Sequence, residues 1–268
     1  QPPLPWRGRI TLSKAPGLPG TPDQTLAAEA EVAAFMGAAT AADFTVAGGQ
    51  VSYTGAADWG LRRFILHNAA LCAAAGGVAA FCIGSEMRGL TQIRGLTGFP
   101  AVAALRDLAA EVRLLLPEAK ISYAADWSEY WGYQSPEGNR YFHLDPLWAD
   151  ANIDFIGIDN YMPLSDWRDG VDHLDRVAGA PSIYDLDYLR ANVAGGEGYD
   201  WYYHSPEAAA AQIRTPITDG AHDEPWIWRY KDLKNWWSNQ HYERIDGIRQ
   251  ALPTAWQPQK KPIWFTEL

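Results

Sequence analysis

The sequence predicts an α/β fold built on a parallel sheet, of the (β/α)8 TIM-barrel-like kind, and three observations carry that expectation. Two short apolar runs, Val78 to Ser85 and Ile263 to Thr266, each lead directly into a glutamate, Glu86 and Glu267. Two further runs, Lys120 to Ala125 and Ile153 to Ile158, end on Asp126-Trp127 and on Asp159-Asn160-Tyr161. Stretches with helical apolar spacing precede the first run and separate it from the second, and strand–helix alternation of this kind marks a parallel α/β fold.

Taken in order, the chain opens on a Pro-rich stretch in which Arg9 to Leu12 is a candidate short strand. A helix is expected from Thr21-Pro22-Asp23-Gln24, with Thr21 as N-cap, Pro22 in the first turn and Gln24 closing a capping box. Phe44 to Val46 and Val51 to Tyr53 flank Gly48-Gly49 and read as a hairpin. Asp58 is the expected cap of a second helix, whose stripe runs through Leu61, Phe64, Ile65, Asn68, Leu71 and Cys72 until Gly76-Gly77 ends it. The first glutamate-bearing strand follows. A third helix spans Pro100 to Leu116, with Val102, Leu105, Leu108, Ala109, Val112 and Leu115 facing inward and Pro117 stopping it.

Beyond Ser165 the periodicity weakens. Short helices are expected over Ser182 to Asn192 and after Ser205-Pro206-Glu207, and a strand over Trp226 to Tyr230. Nearly a hundred residues between two strands far exceed the usual connection. Residues of about 165–259 are therefore expected to be an insertion over the C-terminal face, before the last strand of a single domain covering residues 1–268. No eighth strand follows Thr266, so the barrel is expected to be incomplete within this chain, a segment of a longer polypeptide.

Composition narrows the function. The net charge is −10 and the pI about 5.0, which argues against nucleic acid or an anionic membrane as partner. No apolar run reaches the roughly 18 residues of a membrane span, and no signal peptide is legible at the N-terminus. Cys72 and Cys82 lie on apolar faces and read as free thiols. The 6 histidines show no metal-binding spacing, and no glycine-rich phosphate loop supports a nucleotide or phosphate enzyme. Neither a metal nor another cofactor is expected. Trp and Tyr are abundant, 13 of each, which suits both packing and stacking on sugar rings.

The chemistry rests on the two glutamates. A carboxylate is costly to desolvate, so it belongs at a strand's mouth rather than in its middle. At the C-terminal ends of two parallel barrel strands, Glu86 and Glu267 would face one pocket, where such residues read as catalytic. Two carboxylates across a cleft are the machinery of glycoside hydrolysis. The competing reading is a pair of strand-end glutamates neutralised by nearby arginine or lysine. For Arg88, pairing with Glu86 and binding of substrate both stand open.

Four stretches carry a resemblance to a known family: Ile83-Gly84-Ser85-Glu86-Met87-Arg88-Gly89-Leu90, Asp159 to Trp167, Gly195 to Tyr203, and the closing Lys261-Pro262-Ile263-Trp264-Phe265-Thr266-Glu267-Leu268. The chain resembles, over nearly its whole length, the glycoside-hydrolase TIM-barrel-like domain in the large baseplate proteins of gene transfer agents and related phage tails. That family is similar to a clan of barrel hydrolases with an acid/base glutamate after the fourth strand and a nucleophile glutamate after the seventh. The resemblance implies that Glu86 is the acid/base and Glu267 the nucleophile, with Tyr161 beside it. The candidate substrate contacts are Ser85 and Tyr161, whose positions match the clan's, and Asp126, Trp127 and Asn160, which stand at strand ends. Ser85 stands where the clan usually has an asparagine that binds the sugar 2-hydroxyl. The implied activity is retaining hydrolysis of a cell-envelope polysaccharide within a phage-tail-like baseplate, beside other baseplate or tail proteins. The alternative is a barrel without turnover that serves as a carbohydrate-binding or structural module of the tail tip.

Overall fold

The computed structural model describes residues 5–268. They form two compact units, one of residues 5–160 and 240–268, the other of residues 161–239. The first unit holds helices α1 (Leu26–Met36), α2 (Leu61–Ala74), α3 (Arg88–Thr91), α4 (Pro100–Leu115) and α5 (Asp145–Trp148). Its main sheet contains β3 (Ala80–Ser85), β4 (Lys120–Asp126), β7 (Ile156–Asp159) and β12 (Ile263–Glu267). An antiparallel hairpin, β1 (Phe44–Ala47) and β2 (Gln50–Tyr53), precedes the sheet in sequence. A small antiparallel sheet joins β5 (Tyr133–Gln134), β6 (Arg140–Tyr141), β10 (Arg244–Ile245) and β11 (Ile248–Arg249).

All pairings in the main sheet are parallel and the strand order is β12-β7-β4-β3. The strands expected to end at Ser85, Ala125, Ile158 and Thr266 are therefore present, each within a residue of its expected end. Ile121 to Asp126 in β4 and all of β7 are buried, as befits central strands covered on both faces. Outside them lies α4, whose buried stripe is Ala101, Val102, Leu105, Leu108, Ala109 and Val112. Removing one of these leucines would cost about 2–5 kcal/mol through lost burial and the cavity left behind.

The closed (β/α)8 barrel is not found: among the described residues the parallel sheet has four strands and is open. The strand-like residues upstream pair with each other as β1 and β2 instead. Gly48 and Gly49 take φ of 56° and 75°, the left-handed pair that a two-residue hairpin turn requires.

Several local expectations need correcting. The first helix starts at Leu26 with Thr25, not Thr21, as N-cap. Asp23 is drawn away by Arg94, whose backbone N–H and guanidinium both donate to it, at 2.8 Å and 2.6 Å. Asp58 does not cap α2; its carboxylate accepts from the backbone N–H groups of Ala38 and Gly60, and Gly60 is the N-cap. Residues Arg7–Arg9 form a 3-10 turn rather than the start of a strand. Pro225–Trp228 is likewise a 3-10 turn rather than a strand, with Trp226 and Ile227 buried. The expected insertion is also shorter at its C-terminal end, since residues 240–259 belong to the first unit and supply β10 and β11, with β10 pairing to β6.

The second unit contains α6 (Leu174–Val177), α7 (Leu186–Ala191), β8 (Trp201–Tyr202), α8 (Pro206–Ala210), β9 (Thr215–Pro216) and α9 (Leu233–Ser238). Asp185 and Ser205 cap α7 and α8 through their side chains. Polar staples accompany its apolar burial. Arg214 bridges Asp166 at 2.8 Å and Asp175 at 2.5 Å. The buried Lys231 donates to the carbonyls of Pro163 and Gly195, and burial lowers its pKa to about 8.

Candidate functional site

The two glutamates sit at the tips of the two edge strands, Glu86 just past β3 and Glu267 closing β12. Three strand intervals of about 4.8 Å separate those edges. The side chains close the gap over the tips of β4 and β7. Oxygens of Glu86, Asp159 and Glu267 all lie within 4.8 Å of one another. The backbone is irregular beside both glutamates. The β3–β4 register shifts between Cys82 and Ser85, and the β12–β7 register shifts between Phe265 and Glu267. Such bulges bend a strand and re-aim its side chains. Glu86 itself has φ of 51°, a left-handed conformation uncommon outside glycine and costly enough that the surroundings must enforce it.

What enforces it is a buried polar network that the sequence reading did not single out. The Met87 N–H donates to the Tyr123 hydroxyl at 2.6 Å. That hydroxyl donates in turn to Glu129, at 3.0 Å. Glu129 also accepts from Thr91 Oγ1 at 2.5 Å and from the Asp126 N–H at 3.2 Å. Tyr123 and Glu129 are both fully buried. Desolvation outweighs these hydrogen bonds and raises the Glu129 pKa to about 7. His143, 3.3 Å from Thr91 Oγ1, is pushed down to about 3 by burial and by Arg140 and Arg88, so it is neutral at physiological pH.

Glu86 is 8% exposed. Trp6 Nε1 donates to its Oε2 at 2.9 Å, and Arg7, half exposed, stands 3.5 Å from the same oxygen. Oε1 has no hydrogen-bond partner among the described residues. The cation beside Glu86 is therefore Arg7 and not Arg88, which donates to Ser128 Oγ at 3.1 Å. Glu267 is exposed, and its backbone carbonyl accepts from the Asn160 N–H at 2.9 Å.

The other candidate residues divide. Ser85 Oγ donates to Asp159 Oδ2 at 2.9 Å, and Thr266 Oγ1 donates to Oδ1 at 2.5 Å. Ser85 thus orients a buried carboxylate that lies between the two glutamates. Both Asp159 oxygens thus accept from hydroxyls. Asp126, also buried, accepts from the Ser128 N–H and hydroxyl. Trp127 is half-buried, and its N–H donates to the Asp159 carbonyl at 3.0 Å. Tyr161 begins the second unit and is 54% exposed.

Gly89 explains how the N-terminal segment reaches Glu86. A Cβ there would lie 2.7 Å from the carbonyl oxygens of both Gly8 and Ile10, so only glycine lets residues 8–10 lie against α3. Gly89→Ala should push that segment away and loosen Trp6 and Arg7 from Glu86, at a cost of about 1–3 kcal/mol. Hydrogen exchange over residues 5–12 checks this, and protection equal to that of the parent chain would refute it.

A family model described as the GTA TIM-barrel-like domain matches residues 59–268, and against the curated proteins the chain has no match.

Proposed function

The chain belongs to the gene transfer agent (GTA) TIM-barrel-like family, and from that premise we propose that it is a retaining glycoside hydrolase acting on a cell-envelope polysaccharide. The observation that carries the reading is that a carboxylate oxygen of Glu86 and one of Glu267 lie within 4.8 Å of each other at the C-terminal ends of parallel strands. Retaining enzymes hold their carboxyls roughly 5–5.5 Å apart and inverting ones roughly 6.5–9.5 Å. We read the four-stranded sheet as part of a (β/α)8 frame and residues 1–268 as one functional domain of a larger protein. Its setting is the baseplate of a phage-tail-like particle, beside other baseplate or tail proteins. Among the described residues no helix is long and apolar enough to cross a membrane.

In this reading Glu267 attacks the anomeric carbon while Glu86 gives its proton to the departing glycosidic oxygen. The C–O bond to the leaving sugar breaks as the bond to Glu267 forms. Water then attacks the anomeric carbon, Glu86 takes its proton, and Glu267 leaves as a carboxylate. Exposure suits Glu267 to attack, and the unpartnered Oε1 suits Glu86 to meet the glycosidic oxygen while Trp6 and Arg7 hold Oε2. Ser85 and Thr266 fix Asp159, Asp126 orders the turn after β4, and Trp127, Asn160 and Tyr161 are the proposed sugar contacts.

One observation favours the alternative of a glycan-binding or structural module. Trp6 and Arg7 already engage the acid, as a neutralised strand-end glutamate would be. A screen of purified protein against envelope glycans separates the two. Release of reducing ends supports hydrolysis, whereas binding without release supports the module.

A further inference from the structure

A second feature adjoins the residues that flank Glu86 in the chain and those that touch it. The segment that touches Glu86 through Trp6 and Arg7 continues as Gly8 and Arg9 into the wall of a cavity of about 670 Å³. That volume is within the roughly 300–1,000 Å³ of small-ligand sites. Packed against that segment, Arg88 and Gly89, just past the acid in sequence, also line the cavity, as do Gln92, Ser128 and Trp131.

Three properties of this wall point to a ligand. First, it contains Arg9 and Arg88 and no aspartate or glutamate, although the chain carries a net charge of −10. Neither arginine has an ion-pair partner among the described residues. Two unpaired cations in a concave, carboxylate-free surface create a local positive field that would attract an anion. Second, two polar atoms of lining residues, Thr11 Oγ1 and Gln92 Nε2, are buried with no hydrogen-bond partner among the described residues. Buried polar groups are almost always satisfied, so orphans at a cavity wall call for a partner from outside the chain. Third, an aromatic side chain, Trp131, lines the cavity and is braced by Arg140. Arg140, fully buried, stacks 3.6 Å from the ring centroid and donates to the Trp131 carbonyl at 2.7 Å.

We propose that this cavity is the subsite for a sugar residue bearing a carboxylate. The arginines pair with the carboxylate, Gln92 and Thr11 meet hydroxyl or amide groups, and Trp131 stacks on the ring. The assignment rests on the hydrolase reading: Arg88 stands two residues after Glu86, so a sugar held here would neighbour the bond being broken. The two sources of such a carboxylate put to the test are a uronate, with its ring carboxylate, and a lactyl-ether sugar such as N-acetylmuramic acid.

The test is calorimetric titration of the Glu267→Gln full chain, which keeps the ligand intact. The probes are a uronate tetrasaccharide and an N-acetylmuramic acid-containing tetrasaccharide, each with its carboxyl-reduced counterpart. We expect one acidic probe to bind about tenfold or more tighter than its reduced form, with the difference shrinking as salt rises. Which pair shows the difference identifies the sugar type. Adding Arg9→Gln and Arg88→Gln should abolish the preference, and Arg88→Lys should restore part of it. Both arginines are exposed, and an unchanged melting temperature would show that the fold survives. Equal binding of acidic and reduced forms, a preference that persists without the arginines, or no binding at all would overturn the subsite. If the parent chain still releases reducing ends from envelope glycans, such a failure leaves the hydrolase reading intact. Acid-selective binding without any release would instead sink the hydrolase reading and leave an anionic-glycan binding site.

Discussion

Glu267→Gln is expected to lower turnover by a factor on the order of 10⁴ or more, since loss of a nucleophile removes the covalent route and leaves only binding and electrostatics. The substitution is nearly isosteric and the side chain is exposed, so the fold should not suffer. Glu86→Gln should behave differently. Loss of an acid costs roughly 10²–10⁴, and the cost depends on how much the leaving oxygen needs a proton. An aryl glycoside with an acidic phenol should be cleaved by Glu86→Gln far better than the natural glycan, whereas Glu267→Gln should fail on both. Steady-state kinetics of the two variants on the two substrates checks the assignment. Equal, small losses in both would mean that neither residue takes part in chemistry.

The second large effect is on stability and comes from Glu129. Its pKa rises from an ordinary 4.5 to about 7 in the folded chain. The folded protein therefore holds a proton that the unfolded chain has released between those values. The contribution of this group is fully present below about pH 4.5 and is lost as pH rises through about 7. At one unit per 1.36 kcal/mol the loss amounts to about 3 kcal/mol. Glu243 is displaced in the same direction, to about 7, and His143 in the opposite sense, to about 3, so the parent profile alone does not isolate Glu129. The difference between parent and Glu129→Gln does. Denaturant unfolding at pH 5 and pH 8 should show the variant gaining about 2.5 kcal/mol on the parent at the higher pH, the rest of the loss lying below pH 5. A pH-independent difference would mean that Glu129 is already ionised in the fold and that its hydrogen bonds outweigh its burial.

The strands and both glutamates were legible because their signals are local. β4 is buried residue after residue from Ile121 to Asp126, and a run buried on both faces reads as a continuous apolar stretch. Glu86 and Glu267 stand where such runs end. The network behind them was not legible. Glu129 looks like an ordinary loop acid, and only the approach of Tyr123 and Thr91 makes it a buried brace for the Glu86 turn. Its one local hint is its position three residues after Asp126, whose N–H it accepts. Trp6 and Arg7 lie some eighty residues before Glu86, and no periodicity links them. The first helix was misplaced because Thr21 and Thr25 are both credible caps, and Asp23's partner, Arg94, lies far along the chain. The second unit gave weak periodicity for a physical reason. Much of its interior is held by Arg214, Asp166, Asp175 and Lys231, and ion pairs leave no apolar rhythm.

The central claim is that Glu86 and Glu267 are close enough to act as acid/base and nucleophile in a double displacement. The stereochemistry of the first product reports on it most directly. Proton NMR of the anomeric region, recorded during the first minutes of hydrolysis and before mutarotation, should show the newly formed reducing end with the configuration of the bond that was cleaved. A first product of opposite configuration would mean that water attacks directly and that Glu267 is not the nucleophile, which would contradict the account.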